Sequence, residues 1–275
     1  MMLVTEEQTD LKARVQAFWN EESCGERYGA GEGRDFYDAH ARERYALETW
    51  IKPFARFAEG RGKRVLEVGV GMGADYLEWL RAGADAYGID FTPRGVAHTQ
   101  RRCELHGFAP KVTVGDAENL PFPSASFDLV YSWGVVHHSP DTARCFREMA
   151  RVLRPGGRAR VAIYHLHSWG VGLIWARNGL LRGKLQGPRR IVADHLESPG
   201  TKLYTVGEAR EQLCAPFSRV VEIRTQLGLG DLLTMKPSAK YADPLSKFVL
   251  KIYPRWLIRR LGHRFGGYLL IECEK

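Results

Sequence analysis

The chain has 275 residues, 44% of them hydrophobic and 26% charged, which is enough for one large α/β domain with a sizeable core. The acidic N-terminus, MMLVTEEQTD, has no apolar run for a secretory signal, and the most apolar stretch, residues 161–176, is interrupted by His165 and His167 and is too short for a membrane span. Cys24, Cys103, Cys145, Cys214 and Cys273 form no C-x-x-C and leave one over if paired, which argues against a zinc site and for a reducing, cytoplasmic setting.

Residues 5–22 read as a helix with Leu11, Val15, Phe18 and Trp19 on one face. Residues 23–34, with Gly29, Gly31 and Gly33, read as a loop, and 36–58 as helical again, with Pro53 starting a new turn or kinking the helix. Residues 1–60 therefore form a helical N-terminal cap whose aromatics read as packing residues.

The stretch 65–75, VLEVGVGMGAD, is a strand that ends in Gly69, Gly71 and Gly73 and runs into an amphipathic helix over 73–82. Glycines there let the backbone turn tightly and approach a ligand, and the helix N-terminus points free N–H groups at it. A dinucleotide fingerprint is G-x-G-x-x-G; here the third glycine comes one position early, so the spacing alone does not choose the ligand. Strands at 85–91, 111–115, 128–134 and 158–165 then alternate with helices at 93–106 and 141–153, the last stopping at Pro155-Gly156-Gly157. That alternation specifies an α/β, Rossmann-like, doubly wound and mostly parallel sheet with the strand C-termini along one edge. At those ends stand the glycines, Asp90, then Asp116, Ala117 and Glu118, then Ser132, Trp133, His137 and His138, then Tyr164, His165 and His167.

The segments VLEVGVGMGADYLEWL, YGIDFTP, GDAENLPFPSASFDLVYSWGVVHH and REMARVLRPGG, in this order, resemble the class I S-adenosylmethionine-dependent methyltransferases, in the style of the ubiquinone/menaquinone-type small-molecule enzymes. The resemblance covers residues 60–166 and echoes in the final GGYLLIECEK. It implies a seven-stranded sheet, S-adenosylmethionine as cofactor, and a cofactor-binding core over 61–166. It further implies that Glu67 and the Gly69, Gly71 and Gly73 loop cradle the methionine moiety, and that Asp90 takes the ribose hydroxyls. Asp116 would accept from the adenine amine beside the Ala117 backbone, and Ser132 or Trp133 would turn a carbonyl to the ammonium. A cleft dominated by carboxylates suits a cationic cofactor without phosphate; a dinucleotide would need more donors.

Methyl transfer is an in-line displacement that needs a base only when the acceptor is protonated. His138 is the candidate base; His137 beside it should point the other way in an extended loop. His165 and His167, two apart, can face one side as substrate ligands, and no carboxylate or cysteine completes a metal set with them. Residues 151–275 carry 22 Lys and Arg against 9 Asp and Glu, whereas 1–150 carry 18 against 23. A basic second half implies an anionic substrate, a membrane surface, or nucleic acid, against the plain alternative of a solvated basic face. Residues 167–200 form an insertion with an apolar helical piece (Val171, Leu173, Ile174, Trp175) and a basic run (Arg177, Arg182, Lys184, Arg189, Arg190). Its Ser198-Pro199-Gly200-Thr201-Lys202 turn either holds a carboxylate or phosphate or is a solvated surface turn. A second insertion, 228–265, repeats Lys247, Lys251, Arg255 and Arg259 beside Phe248, Ile252 and Trp256, divided by Pro254 into short helices. It reads as a lid over the active site, a membrane-surface patch or a nucleic-acid surface. The expectation is a single domain over 1–275 that methylates a small, anionic or amphiphilic molecule. The alternatives are a nucleic-acid methyltransferase, disfavoured because strand 4 ends in SWG, and a non-catalytic cofactor-binding or membrane-surface protein.

Overall fold

A computed structural model describes residues 6–183, 186–193, 199–234 and 253–275; Lys184, Ser198, Lys247, Phe248, Lys251 and Ile252 lie outside them. Three helices come first: α1 (Glu6–Glu21), α2 (Gly33–Leu47) and α3 (Ile51–Ala55). The continuous helix expected over 36–58 is broken, because Glu48 leaves helical geometry (φ −113, ψ 65). Pro53 falls in the first turn of α3, where backbone N–H groups have no intrahelical partner to lose.

Strand β1 (Arg64–Val68), α4 (Ala74–Arg81), β2 (Asp85–Asp90), α5 (Pro93–Leu105), β3 (Lys111–Val114), β4 (Phe127–Trp133), α6 (Thr142–Val152) and β5 (Leu153–Tyr164) alternate as expected. After β5 come α7 (Trp169–Asn178), α8 (Pro188–Ala193), α9 (Val206–Glu208), β6 (Arg219–Gln226), α10 (Leu229–Leu232), α11 (Arg255–Leu261) and β7 (Tyr268–Glu274). The seven strands run in the order β3-β2-β1-β4-β5-β7-β6, with β7 antiparallel to both neighbours. The doubly wound, mostly parallel sheet with a helical cap and helical insertions is thus present. One boundary differs. Helix α6 ends at Val152 and Leu153 already pairs with Phe127, so the Pro-Gly-Gly sequence lies within β5 at a register shift. A residue before proline is driven to extended backbone, so Arg154 could not continue the helix.

Period-two alternation sorts the strand residues into two cores. Leu66, Val68, Val130, Val161 and Ile163 face α6, packing with Phe146 and Met149. Val65, Leu129 and Tyr131 face α4 and the cap, packing with Trp79 and Phe57. Polar side chains on this second face must be paired to be buried there. Arg160, 1% exposed, donates from Nη1 to the Ala55 carbonyl (2.6 Å), bonds Glu59, and reaches Glu272 Oε1 at 3.4 Å. Arg56 joins it on Glu272 at 2.5 Å, so α3 is clamped to the sheet through charge.

Removing one member of a buried ionic cluster leaves the others unpaired. Arg160→Ala is expected to lower unfolding free energy in urea by about 3 kcal/mol. A loss below about 1 kcal/mol would show that Arg56 and Arg158 suffice to hold the clamp.

Candidate active site

Strand order reverses between β1 and β4, and open α/β sheets bind ligands in the crevice at such a point. A cavity of about 200 Å³ lies there. Its floor is the glycine loop after β1 and the ends of β2 and β3; Trp133, Gly134 and Val135 follow from β4. Tyr164 at the end of β5 and Tyr268 at the start of β7 are register partners, and both line it. With Trp133 they form an aromatic wall, ring centroids 5.4 Å (Tyr164–Tyr268) and 5.7 Å (Trp133–Tyr268) apart. The roof is the cap: Lys12, Val15 and Trp19 of α1, His40 and Arg44 of α2.

Asp90 organises the floor. Its Oδ2 accepts from Gly71 N (2.8 Å), and its Oδ1 from Thr92 N (2.9 Å) and Thr92 Oγ1 (2.7 Å). Thr92 in turn caps α5, accepting from Gly95 N. Gly71 and Gly73 both need left-handed backbone, φ +49 and +70, but differ in surroundings. A Cβ on Gly73 would lie 2.9 Å from Thr99 Cα; one on Gly71 would meet nothing within 4 Å and sits in the cavity wall. At the far end, Asp116 accepts from Glu118 N (2.8 Å) and from Lys12 Nζ (2.6 Å), and Ala117 lines the cavity beside it. Lys12 also meets Glu118 Oε2 at 2.7 Å. Burial pushes Glu118 up, but its bonds from Lys12 and Ser139 win and hold it below the usual carboxylate range.

The cavity wall beside the glycine loop is a buried charge network. Arg44 Nη2 donates to Asp75 Oδ2 (2.9 Å), as does Tyr131 OH (2.9 Å); Tyr45 OH donates to Asp75 Oδ1 (2.8 Å). Burial raises Asp75, but Arg44 and the hydroxyls outweigh it and hold it below the ordinary range. Glu67 is the opposite case. Burial, then the Asp75 charge, push it well above the ordinary range, and its Oε2 has no hydrogen-bond partner among the described residues. A buried polar atom without a partner is the exception in a folded protein, and this one lies in the cavity wall.

The histidines behave differently from expectation. Val136–His138 is a 3-10 turn and not an extended loop, so the His137 and His138 rings lie 4.1 Å apart instead of pointing away. His137 is fully buried against Tyr164 (4.2 Å), outside the cavity wall, and no hydrogen-bond partner meets either nitrogen among the described residues. His138 lines the cavity, with Nδ1 3.0 Å from Thr201 Oγ1 and a further bond to the Gly134 backbone. Burial pushes it down to about 4. His165 turns away, its Nδ1 2.8 Å from the Gly266 carbonyl, and is no part of the cavity wall. Ser132 is likewise removed: its hydroxyl donates to the Val68 carbonyl inside the sheet, whereas Trp133 lines the cavity. The described part of the turn expected to be either an anion site or a solvated surface turn is an anchor. Lys202 Nζ is spent on the Ser139 and Pro140 carbonyls, and Thr201 on His138. Among the described residues no group of three or more His, Cys, Asp or Glu could hold a metal ion.

Sequence reading missed Lys12, Trp19, His40, Arg44 and Tyr268 as cavity residues. The local pattern showed Arg44 and Glu48 one helical turn apart, but nothing local shows that α2 folds back over the strand ends.

Residues 66–161 match the family model for a methyltransferase domain. Two curated relatives are a phthiotriol/phenolphthiotriol dimycocerosates methyltransferase of Mycobacterium leprae and a fatty-acid O-methyltransferase of Mycolicibacterium smegmatis. The first is 44% identical over 103 residues, 37% of each chain. The second is 39% identical over 116 residues, 42% of this chain and 41% of the relative. The chain thus spans well under half the length of these relatives. The solved geranyl diphosphate C-methyltransferase of Streptomyces coelicolor shares the fold across 99% of both chains, with a TM-score of 0.62 at 15% identity. The matched segment is a class I methyltransferase domain, with S-adenosylmethionine as the methyl donor.

The two glycines separate folding from binding. Gly71→Ala should stay within about 1 to 2 kcal/mol of the parent in urea unfolding, the cost of left-handed alanine, yet lose S-adenosylmethionine binding in calorimetry. Gly73→Ala should lose about 3 kcal/mol, because backbone strain and the Thr99 contact add. Intact binding by Gly71→Ala would mean that the space beside it is not ligand space.

Proposed function

We propose that this chain transfers a methyl group from S-adenosylmethionine to a lipophilic small molecule. The observation that carries the reading is the orphaned Glu67 oxygen in a cavity walled by carboxylates, beside a glycine loop inside the methyltransferase segment. The donor set fits a cation with a diol and an aromatic amine, and it offers little to a pyrophosphate. On this reading Glu67 holds the ammonium, together with the Trp133 carbonyl, and the Gly69, Gly71 and Gly73 backbone cradles the methionine chain. Asp90 takes the ribose hydroxyls, and Asp116, once Lys12 shares it, the adenine amine beside Ala117.

Bound S-adenosylmethionine supplies a sulfonium methyl that moves to the acceptor as the sulfur leaves as a neutral thioether. Trp133, Tyr164 and Tyr268 give the acceptor end an aromatic wall that excludes water and holds the acceptor in line, within about 3–3.5 Å of the methyl carbon. His138, neutral with a pKa near 4 and engaged by Thr201 and Gly134, is a weak base and serves to shape the cavity. His40, pushed down to about 3 by burial and then by Arg102, is no stronger. The acceptor atom is therefore one that is nucleophilic without help from the protein, such as a carboxylate. The fatty-acid and phthiotriol relatives, and the resemblance to the ubiquinone/menaquinone-type enzymes, support a lipid-like acceptor. Residues 1–275 act as one domain on this reading, since α1 and α2 complete the cavity; the free cysteines suit a cytoplasmic compartment.

Calorimetric titration tests the cofactor. S-adenosylmethionine and its demethylated product should bind, and NAD should not. Because Glu67 keeps its proton to higher pH than a free carboxylate, an arriving ammonium should expel that proton. Affinity should then rise about tenfold per pH unit below the raised pKa and level off above it. Glu67→Gln should abolish both the slope and the proton release, read from titrations in buffers of different ionisation enthalpy. NAD binding alone would overturn the cofactor assignment. Labelled methyl should pass to the carboxylate of long-chain fatty acids; transfer to RNA and to no lipid would overturn the acceptor class.

A further inference from the structure

We infer that α11 and the start of α7 form a docking surface for an anionic lipid bilayer, next to the acceptor end of the cavity. Helix α11 buries Ile258, bonds half-buried Arg255 back to the Leu232 and Leu233 carbonyls, and turns Trp256, Leu257, Arg259 and Arg260 outward. Trp256 is 70% exposed and Leu257 37%; Phe265, just beyond the helix, is 48% exposed, and Trp169 of α7 is 39% exposed. Large apolar side chains at such exposure are costly unless something covers them. Between them stand Arg259, Arg260 and Arg264, all exposed, and no ion pair meets any of the three among the described residues. The segment 253–267, YPRWLIRRLGHRFGG, contains no acidic residue.

These groups form one rigid surface. The Trp169 and Phe265 rings meet edge to face at 5.7 Å. A Cβ on Gly262 would lie 2.5 Å from Trp169 Nε1, so the end of α11 is pressed against α7. Buried Asp231 of α10 ties the pieces together, accepting from Gly170 N (2.9 Å), Gly228 N (2.7 Å) and Gly267 N (2.6 Å). The surface is also joined to the cavity. Trp169 follows Tyr164 by a short turn, and Phe265 precedes Tyr268 by two glycines; those tyrosines are register partners in the cavity wall. A bilayer on this face would lie at the cavity's acceptor end.

Charge and chemistry select the occupant. Tryptophan, phenylalanine and leucine interleaved with arginines suit the headgroup boundary, where aromatic bodies sink and guanidiniums stay with lipid phosphates. Nucleic acid would use the arginines and could stack a base on Trp256, but it would leave aliphatic Leu257 in water and offers nothing to the outer faces of a Trp169–Phe265 pair already packed edge to face. The negative surface of an anionic bilayer complements a half-chain carrying 22 Lys and Arg against 9 Asp and Glu.

The test is flotation of the whole chain with vesicles of phosphatidylcholine alone and of phosphatidylcholine with phosphatidylglycerol in equal parts, without cofactor or acceptor. That readout stands apart from the methyl-transfer reading, which can fail without affecting it. Binding is expected only to the anionic vesicles and should fall steeply with salt. Removing Arg259, Arg260 and Arg264 together (each to Ala) should weaken it on the order of a hundredfold. Trp256→Ala should weaken it and reduce the blue shift of tryptophan emission on binding, leaving the part due to Trp169. Both variants alter exposed positions, so circular dichroism should match the parent. Equal binding to both vesicles, binding that survives both variants, or tighter binding to duplex RNA than to anionic vesicles would overturn the inference.

Discussion

Arg44 and Asp75 form a buried ion pair between α2 and the first turn of α4, and the cavity wall beside the glycine loop depends on it. Two buried charges repay their desolvation only when the remaining hydrogen-bonding capacity is filled as well. Tyr45 and Tyr131 fill it for Asp75, and Arg44 reaches Glu48 at 3.6 Å on its other side. Glu48 in turn accepts from Tyr268 OH at 3.1 Å. The pair therefore closes the cap over the sheet and positions an aromatic ring of the acceptor wall. It also places a second carboxylate beside Glu67, whose charge adds to burial in pushing Glu67 well above the ordinary carboxylate range.

The opposite end repeats the arrangement with smaller means. Lys12 of α1 bridges Asp116 and Glu118, and Gln16 Nε2 donates to the Phe91 carbonyl at 2.7 Å. Helices α1 and α2 thus each bring one cation to carboxylates lining the cavity. The two clamps differ in depth. Arg44 and Asp75 are largely withdrawn from water, whereas Asp116 keeps 34% of its side chain exposed, so α1 is the more easily displaced part of the roof.

The second half of the chain solves a different problem. From the end of β5 onward the described segments supply cavity walls through Tyr164 and Tyr268, and they turn several arginines and several large apolar side chains outward. A methyl donor that carries its own leaving group asks little of the protein beyond position and dryness. The structural material is spent accordingly on packing and on access, and the histidines that looked like acid–base groups are absorbed into that packing.

The strand alternation, the glycine loop and the carboxylates at the ends of β2 and β3 were legible in the sequence because their partners are close along the chain or along one ladder. Asp90 bonds the loop of the neighbouring strand and the next helix's cap; Asp116 bonds the backbone of Glu118. Side chains on a strand alternate by geometry, so Trp133 and Tyr164 could be placed at the edge without knowing the fold. Tertiary structure decided the rest. Arg44 meets Asp75, Lys12 meets Asp116, and Tyr268 meets Tyr164 across separations that no local pattern encodes. Whether His137, His138 and His165 could act as bases depended on a 3-10 turn and on partners from distant loops, Thr201 and Gly266. Local propensity and periodicity are set by neighbours in sequence, so the chain by itself determined the frame and the floor of the site. Burial and ion pairing are set by what folds against a group, so only the packed structure determined the roof, the raised pKa of Glu67 and the surroundings of the histidines.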